Sequence, residues 1–377
     1  MTNAMHPSRS AIIVLLICAL AACSDATRKT PPAPIAPAPV ATPAPVAAPA
    51  VEVQPTLPQD TEAAFVTEAS RAYGLTPAEI EGWLAQAKYR QSIVDAMSRP
   101  AESVKPWKDY RPIFLTDARI QQGRAFYAEH RDALLKVQSE TGVPAEIIVS
   151  IIGVETSYGR VTGSYRVLDA LYTLGFYYPV SGKPDRVDYE QKRGRFFRDQ
   201  LAQAILLAKE NRLDFATLKG SYAGAMGWGQ FMPSSYRDFA KDGDGDGRRD
   251  LFTDLPDVFA SIANYFVANG WQKDLPAFVP AQADAGAVAF VPENFEAKYS
   301  LAELATRGYR PVAADVPAQP ATLLTLDGAA GPEYWIGYRN FYVITRYNRS
   351  PMYALAVYQL SREIAAGDAG AGTPASP

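Results

Sequence analysis

The chain of 377 residues contains few of the side chains on which many enzymes rely, since it has two cysteines and two histidines. Cys18 lies in an apolar N-terminal run that we expect to be removed, Cys23 lies at the expected cleavage point, and His6 precedes both. His130 is then the one histidine of the processed chain. It cannot supply the ligand clusters of zinc amidases or zinc endopeptidases, and no nucleophile-elbow motif accompanies it. With Cys23 modified, no thiol is left for a disulfide, a metal or a nucleophile.

The sequence also lacks a strong excess of charge of either sign, because its formal net charge is −3. This balance gives no indication of a nucleic-acid partner. Hydrophobic residues make up 48% of the chain, which is enough to form a substantial core.

The N-terminus has the features of an export signal. His6 and Arg9 precede an apolar run from Ala11 to Ala22, which is too short to span a bilayer. The run ends in Leu-Ala-Ala-Cys23, which resembles a bacterial lipobox, so we expect Cys23 to be lipidated. An ordinary signal peptide with an incidental cysteine is the alternative. Ser24 after the cysteine favours the outer membrane, with the protein facing the periplasm, although Asp25 weakens this.

Residues 31–58 contain ten prolines among Ala and Val and are expected to be an extended tether. At about 3.1 Å per residue, such a segment reaches on the order of 85 Å. Beyond it, apolar periodicity predicts a protein of the α+β class that is predominantly α. The helices are expected at 61–73, 77–97, 116–141, 195–211, 255–270 and 351–364, with short strands between about 272 and 335.

Glu155 is the first candidate for chemistry. It follows a nearly all-apolar segment, Pro144 to Val154, which predicts a buried helix that Gly159 would end. Apolar surroundings and the negative end of a helix both disfavour a carboxylate, so we expect a raised pKa and a proton available for general acid catalysis. A solvated charge at a helix end is the alternative.

A glycine-rich segment, 220–236, is the second candidate. Its glycines allow close approach of the backbone, and its Ser, Gln, Tyr and Trp residues offer donors and flat faces that suit a sugar. Tight core packing would explain the small residues equally well.

These segments, together with 165–171, 263–266 and 340–348, resemble the lysozyme-like lytic transglycosylases, specifically the membrane-bound lytic murein transglycosylase B family. The resemblance implies that Glu155 is the catalytic acid and base and that Ser221 orients it. It also implies a set of residues that line the sugar subsites: Gln230, Met232, Tyr265, Tyr347, Asn348 and Tyr353. For Met232 and Tyr353, packing in the core is the alternative.

The implied architecture is a lysozyme-like core with a helical N-terminal part and a small inserted strand-containing domain. We expect the following divisions: leader 1–22, lipidated Cys23 and tether 23–59, helical domain 60–135, core 136–271, strand-containing domain 272–335, return to the core 336–365, and flexible tail 366–377.

An acidic loop, 242–250, matches several positions of a calcium-binding EF-hand loop. The twelfth position of the loop is Thr253 in place of the usual glutamate. In the family that the chain resembles, the loop is longer and a later aspartate is the last ligand, which here would be Asp257 or alternatively Asp254. The expected ligands of a structural calcium ion are Asp242, Asp244, Asp246, the Arg248 carbonyl and Asp257. A solvated turn without metal is the alternative.

The resemblance implies cleavage of the MurNAc-β-1,4-GlcNAc bond with formation of 1,6-anhydro-MurNAc ends and no catalytic cofactor. A hydrolytic muramidase and a peptidoglycan-binding scaffold without activity are the alternatives. We expect peptidoglycan strands and the membrane as partners, cell-wall synthesis enzymes as candidate protein partners, no nucleic acid, and a monomer.

We predict that Cys23→Ala converts a protein that sediments with membranes into a soluble one with unchanged specific activity, because the acyl chains supply the anchor. The matched control is Cys18→Ala, which should leave the protein in the membrane pellet. Sedimentation of the Cys23 variant through a high-salt wash would require another anchor.

Overall fold

The computed structural model describes residues 61–98 and 105–371. The predicted leader, Cys23 and the proline-rich tether lie outside these residues. The described part is mostly helical with small antiparallel sheets, which confirms the predicted fold class.

Six helices of the described residues precede the helix that carries the candidate acid. Their bounds are α1 Thr61–Tyr73, α2 Pro77–Leu84, α3 Gln91–Ser98, α4 Trp107–Phe114, α5 Asp117–Glu129 and α6 Arg131–Thr141. The prediction of one helix at 77–97 was wrong, because the chain leaves helical structure between α2 and α3. The helix predicted at 116–141 is likewise two helices, separated at His130, whose φ of −110° and ψ of 19° are not helical.

Helix α7, Ala145–Thr156, lies at the centre of the described part. Nine of its twelve residues are buried, and it packs against α5, α6, Leu255–Ala268 (α11) and Pro351–Ala371 (α14). The prediction of a buried helix is confirmed. The helix ends at Thr156 and Ser157 is its C-cap, so the prediction that Gly159 ends it was wrong by about half a turn.

A small two-stranded sheet and three more helices form the region after α7. The elements are β1 Tyr165–Arg166, α8 Val167–Phe176, α9 Val187–Asn211, β2 Lys219–Gly220 and α10 Pro233–Phe239. Strands β1 and β2 are antiparallel, with Tyr165 opposite Gly220. Gly163 has a φ of +102°, and a Cβ atom there would lie 2.0 Å from the Gly220 carbonyl. The pairing of these two strands therefore depends on glycine at this close approach.

The predicted strands form one antiparallel sheet in the order β4-β3-β6-β5. Their bounds are β3 Phe278–Ala283, β4 Tyr309–Pro311, β5 Thr322–Gly328 and β6 Gly331–Gly337, with helix α12 Leu301–Thr306 before β4. A small apolar cluster that includes Leu304, Leu323 and Ile336 is separate from the main core. The domain limits given above remain a prediction.

After the sheet the chain returns to the main core through α13, Arg339–Tyr347, and α14. Helix α14 packs against α5 and α7. It runs to Ala371, so it extends beyond the predicted end at residue 364. Among the described helices, none has the length and apolar character of a membrane span.

Candidate active site

The candidate site is built at the C-terminal end of α7. Glu155 is half-buried and lies one residue before the helix ends. The three residues that follow the end of the helix all have left-handed backbone conformations, with φ of 50° at Ser157, 59° at Tyr158 and 76° at Gly159. Such a conformation costs of order 1 kcal/mol or more for residues with a Cβ atom, so surrounding contacts must hold it.

Thr156 supplies the first of these contacts. Its side chain is fully buried, and Oγ1 lies 3.1 Å from the carbonyl oxygens of both Ile152 and Trp228. The same oxygen accepts a hydrogen bond from the Gly159 N–H. One hydroxyl therefore links the helix end, the left-handed turn and the glycine-rich segment.

Helix α5 supplies the second set of contacts. Tyr158 donates to the Arg119 carbonyl at 3.0 Å, and the Arg119 guanidinium donates to Ser157 Oγ at 3.1 Å. Gly153 is required where Tyr158 packs, since a Cβ atom there would lie 2.6 Å from the tyrosine oxygen. The sequence analysis did not identify Arg119, because nothing in the local pattern of α5 indicates a contact across 38 positions.

Tyr353 brings a direct partner to Glu155 from α14. It is 2% exposed, and its hydroxyl donates to Glu155 Oε1 at 2.6 Å. Burial, followed by the charge of Glu155, raises the pKa of Tyr353 well above its ordinary value. The tyrosine therefore stays protonated as a donor and is packed in the core. Its contact with sugar remains a prediction.

Tyr347 and Tyr265 form an aromatic pair near the glycine-rich segment. Their ring centroids are 4.9 Å apart, Tyr347 donates to the Gly229 carbonyl at 2.5 Å, and Tyr265 donates to the Arg346 carbonyl at 2.6 Å. Burial and then the charge of Glu155 raise the pKa of Tyr347 well above its ordinary value. Tyr347 therefore lies within reach of the charge of Glu155. The roles of Tyr347 and Tyr265 toward sugar remain predictions.

The glycine-rich segment contributes three further predicted residues. Ser221 Oγ accepts from the backbone N–H groups of Ala223 and Ala225, so it stabilises the turn, and its contact with Glu155 remains a prediction. Gln230, with a φ of 51°, donates its amide to the carbonyls of Thr162 and Gly227. Met232 is half-buried against the core. Their roles toward sugar remain predictions.

Asn348, the remaining predicted subsite residue, is the C-cap of α13 and is half-buried. It directly follows Tyr347, so its position at the site comes from the same helix end. Whether its amide contacts sugar remains a prediction.

The acidic loop brings carboxylates together in two overlapping groups. Carboxylate oxygens of Asp242, Asp244 and Asp257 lie within 4.8 Å of one another, as do those of Asp244, Asp246 and Asp254. Asp257 is 1% exposed, and its two oxygens accept from the N–H groups of Gly243 and Asp250. Burial raises the pKa of the Asp257 carboxyl. Both aspartates named as alternatives therefore lie beside the loop.

Trp228 connects the acidic loop to Glu155. Its backbone N–H donates to the Leu251 carbonyl at 3.1 Å, and its indole N–H donates to the Phe252 carbonyl at 2.9 Å. Its own carbonyl contacts Thr156, and its ring lies where a Cβ atom on Gly159 would be. The loop is therefore coupled to the helix end through one indole.

The chain is similar in sequence to known proteins over most of its length. Residues 58–362 match the transglycosylase SLT domain family. The chain is 42% identical over 310 residues to membrane-bound lytic murein transglycosylase B of Escherichia coli K12, which covers 80% of this chain and 81% of the relative.

Two solved structures are also similar to the chain. The soluble lytic transglycosylase SltB1 of Pseudomonas aeruginosa has a TM-score of 0.72 and 49% identity, with 82% of this chain and 99% of that chain covered. The E. coli lytic transglycosylase Slt35 in complex with calcium has a TM-score of 0.70 and 41% identity, with 81% and 92% covered.

We predict that Thr156→Val lowers the free energy of unfolding by about 2–3 kcal/mol, because buried backbone groups of Gly159 and Trp228 lose their partner. Thr345→Val is the matched control: this threonine is also buried, but its hydroxyl bonds only the Tyr342 carbonyl of its own helix. Its effect should stay below about 1 kcal/mol. Equal losses for the two variants in denaturant unfolding would contradict a special role of Thr156.

Proposed function

The chain belongs to the transglycosylase SLT domain family and is a peptidoglycan lytic transglycosylase, and we propose that it cuts the MurNAc-β-1,4-GlcNAc bond with formation of 1,6-anhydro-MurNAc ends. The observation that carries this proposal is the 2.6 Å hydrogen bond from the buried Tyr353 hydroxyl to Glu155 at the end of α7. It fixes the orientation of one carboxyl beside a segment rich in donors.

In this mechanism Glu155 acts first as an acid. Its proton passes to the glycosidic oxygen as the bond between that oxygen and C1 of the muramoyl residue breaks. The resulting carboxylate then takes the proton of the C6 hydroxyl of the same residue, whose oxygen bonds to C1. The carboxyl is returned to its starting state, and no water is consumed.

Tyr353 is a positioning residue in this cycle. Its raised pKa keeps the phenol neutral through both proton transfers, so it donates to Glu155 without competing for the proton. A fixed donor of this kind reduces the reorganisation needed when the carboxylate forms.

We propose a path in which Glu155 is the one protein carboxylate that takes part. Glu155 is the acidic group whose charge raises the pKa of both Tyr347 and Tyr353. Retaining and inverting glycosidases use a second carboxylate as nucleophile or base. Here we propose that the N-acetyl group of the substrate stabilises the charge at C1 before the C6 hydroxyl attacks.

We propose calcium as a structural ion of the acidic loop. The carboxylates of Asp242, Asp244 and Asp257 fit a hard cation, since oxygen ligands are what calcium prefers. Negative charges also lie close together around the buried Asp257, and a bound divalent ion would reduce the repulsion between them. Asp246 and the Arg248 carbonyl complete the proposed set, with Asp254 as the alternative to Asp257. The ion would hold the loop and take no part in bond cleavage.

We also propose that the lipidated Cys23 attaches the protein to the outer membrane, with the folded part in the periplasm. The E. coli relative is named as membrane-bound, which supports attachment of some kind. On this proposal the peptidoglycan strand is the substrate and cell-wall synthesis enzymes are candidate partners.

We predict that digestion of purified sacculi in water enriched in oxygen-18 gives muropeptides with unlabelled 1,6-anhydro ends, because the acceptor hydroxyl belongs to the substrate. Glu155→Gln, which keeps size but cannot transfer a proton, should lower the rate by about 10²-fold or more while the protein stays folded. Labelled reducing ends as the main product would identify a hydrolytic muramidase, and activity of the glutamine variant within tenfold would exclude Glu155 as the acid.

We predict that calcium raises the melting temperature and that Asp242→Ala with Asp246→Ala abolishes the increase. An ion bound only by the folded state stabilises by mass action, about 2.7 kcal/mol at 100 times its Kd. Asp185→Ala with Asp188→Ala removes two exposed carboxylates outside the loop and should keep the calcium response. Identical melting curves with calcium and with chelator would refute the site.

A further inference from the structure

A cavity of about 590 Å³ lies between the C-terminal end of α9 and the second half of the acidic loop. Its volume is within the range of small-molecule sites, about 300–1,000 Å³. Three arginines line it: Arg212 follows the helix end, and Arg248 and Arg249 belong to the loop. We propose that this cavity binds a phosphate ester. The site is separate from the proposed bond cleavage and does not depend on it.

The two acids that line the cavity leave it with an excess of positive charge. Glu210 is already paired, since the Nε and Nη2 atoms of Arg237 each lie 3.0 Å from one of its carboxylate oxygens. Asp250 accepts hydrogen bonds from the N–H groups of Phe252 and Thr253. Its single charge offsets only one of the three arginines. The cavity as a whole therefore selects an anion.

The loop side of the cavity is held rigidly from the core. The Arg249 guanidinium donates to Asn211 Oδ1 at 3.3 Å, and the Arg249 carbonyl accepts from the Tyr236 hydroxyl at 2.5 Å. Tyr236 is fully buried, and its oxygen also accepts from the Leu251 N–H. The loop backbone is thus fixed before a ligand arrives, which lowers the entropic cost of binding.

Arg212 lies at a helix end where glycine is the usual residue. It is the C-cap of α9, with a left-handed φ of 55° and ψ of 37°. Glycine adopts this conformation without steric cost, whereas arginine does not. The Arg212 side chain is exposed and so gains little from packing. A strained residue of this kind, on the wall of a cavity, indicates a use for its guanidinium group.

Phosphate fits three arginines better than a carboxylate does. Guanidinium groups bind the oxygens of both anions through paired N–H donors. A phosphate monoester offers three non-bridging oxygens, one for each arginine, whereas a carboxylate offers two. The volume of the cavity leaves room for the organic part of the ester. The phosphate can belong to a soluble ester or to a lipid headgroup, and the two sources are separated by experiment.

The test is titration calorimetry on the full chain in a non-ionic detergent without phosphate. The probes are glycerol 3-phosphate, the short-chain lipid dihexanoyl phosphatidylglycerol, and acetate. We expect at least one phosphate probe to bind and acetate not to bind at the same concentrations. Arg212→Gln should weaken binding about tenfold or more, because a charge-assisted hydrogen bond is lost. Arg212→Gly should weaken it equally, while its melting temperature stays unchanged or rises because glycine suits the left-handed backbone.

Calcium in the acidic loop could also attract phosphate, and a loop variant separates the two explanations. The aspartates of residues 242–246 do not line the cavity. Asp242→Ala with Asp246→Ala, which removes the proposed calcium site, should therefore still bind the phosphate probe. Loss of binding in this double variant would mean that an ion, and not the arginines, holds the phosphate, which would overturn the proposal.

Arg310→Gln is the matched control, since this exposed arginine lies in the small sheet and pairs with Asp284 at 3.1 Å. It should bind the probes as the unmodified chain does. Binding of glycerol 3-phosphate would support a soluble ester as the ligand, and binding of the lipid alone would support a headgroup. No binding of either probe, equal binding of acetate, full binding by the Arg212 variants, or the same loss in the Arg310 variant would each overturn the phosphate site.

Discussion

The end of helix α7 is the constraint on which the rest of the site depends. A carboxyl at the last turn of a helix that is buried on most sides has few directions in which to point. The backbone reverses at once through Ser157, Tyr158 and Gly159, all left-handed. Two of these residues bear side chains that disfavour this conformation, so the turn exists because Thr156, Arg119 and Trp228 hold it. The position of Glu155 is therefore set by tertiary contacts more than by its own helix.

The last helices of the described chain supply residues that complete the site around Glu155. Tyr353 reaches Glu155 across 198 positions, and Tyr347 reaches Gly229 across 118. Both tyrosines come from helices that follow the small sheet, and α14 packs directly on α7. The small sheet thus lies between α11 and α13 in the sequence, while the helices before and after it pack in the same core. An insertion between α11 and α13 therefore need not move Glu155.

Only part of this site could be predicted from the sequence, and there are physical reasons why the rest could not. Glu155 could be identified because it is an ionisable residue at the end of an apolar helical segment. Composition and period are local properties that the sequence shows directly. The break at His130 and the left-handed Ser157 were not predicted, since both arise from packing that the local pattern does not encode. Tyr353 could be named from the family resemblance. Its hydrogen bond depends on how α14 lies against α7, which no spacing in the sequence specifies.

The coupling through Trp228 gives the proposed calcium ion a structural effect beyond its own loop. Asp257 binds the N–H of Asp250, and the next two carbonyls, of Leu251 and Phe252, hold Trp228. Gly227 also packs closely on this segment, since a Cβ atom at Gly227 would lie 2.4 Å from the Leu251 oxygen. Neutralising the loop would therefore fix these carbonyls, the indole and, through Thr156, the helix end that carries Glu155. The proposed calcium ion, which makes no contact with sugar, can in this way affect the position of the Glu155 carboxyl.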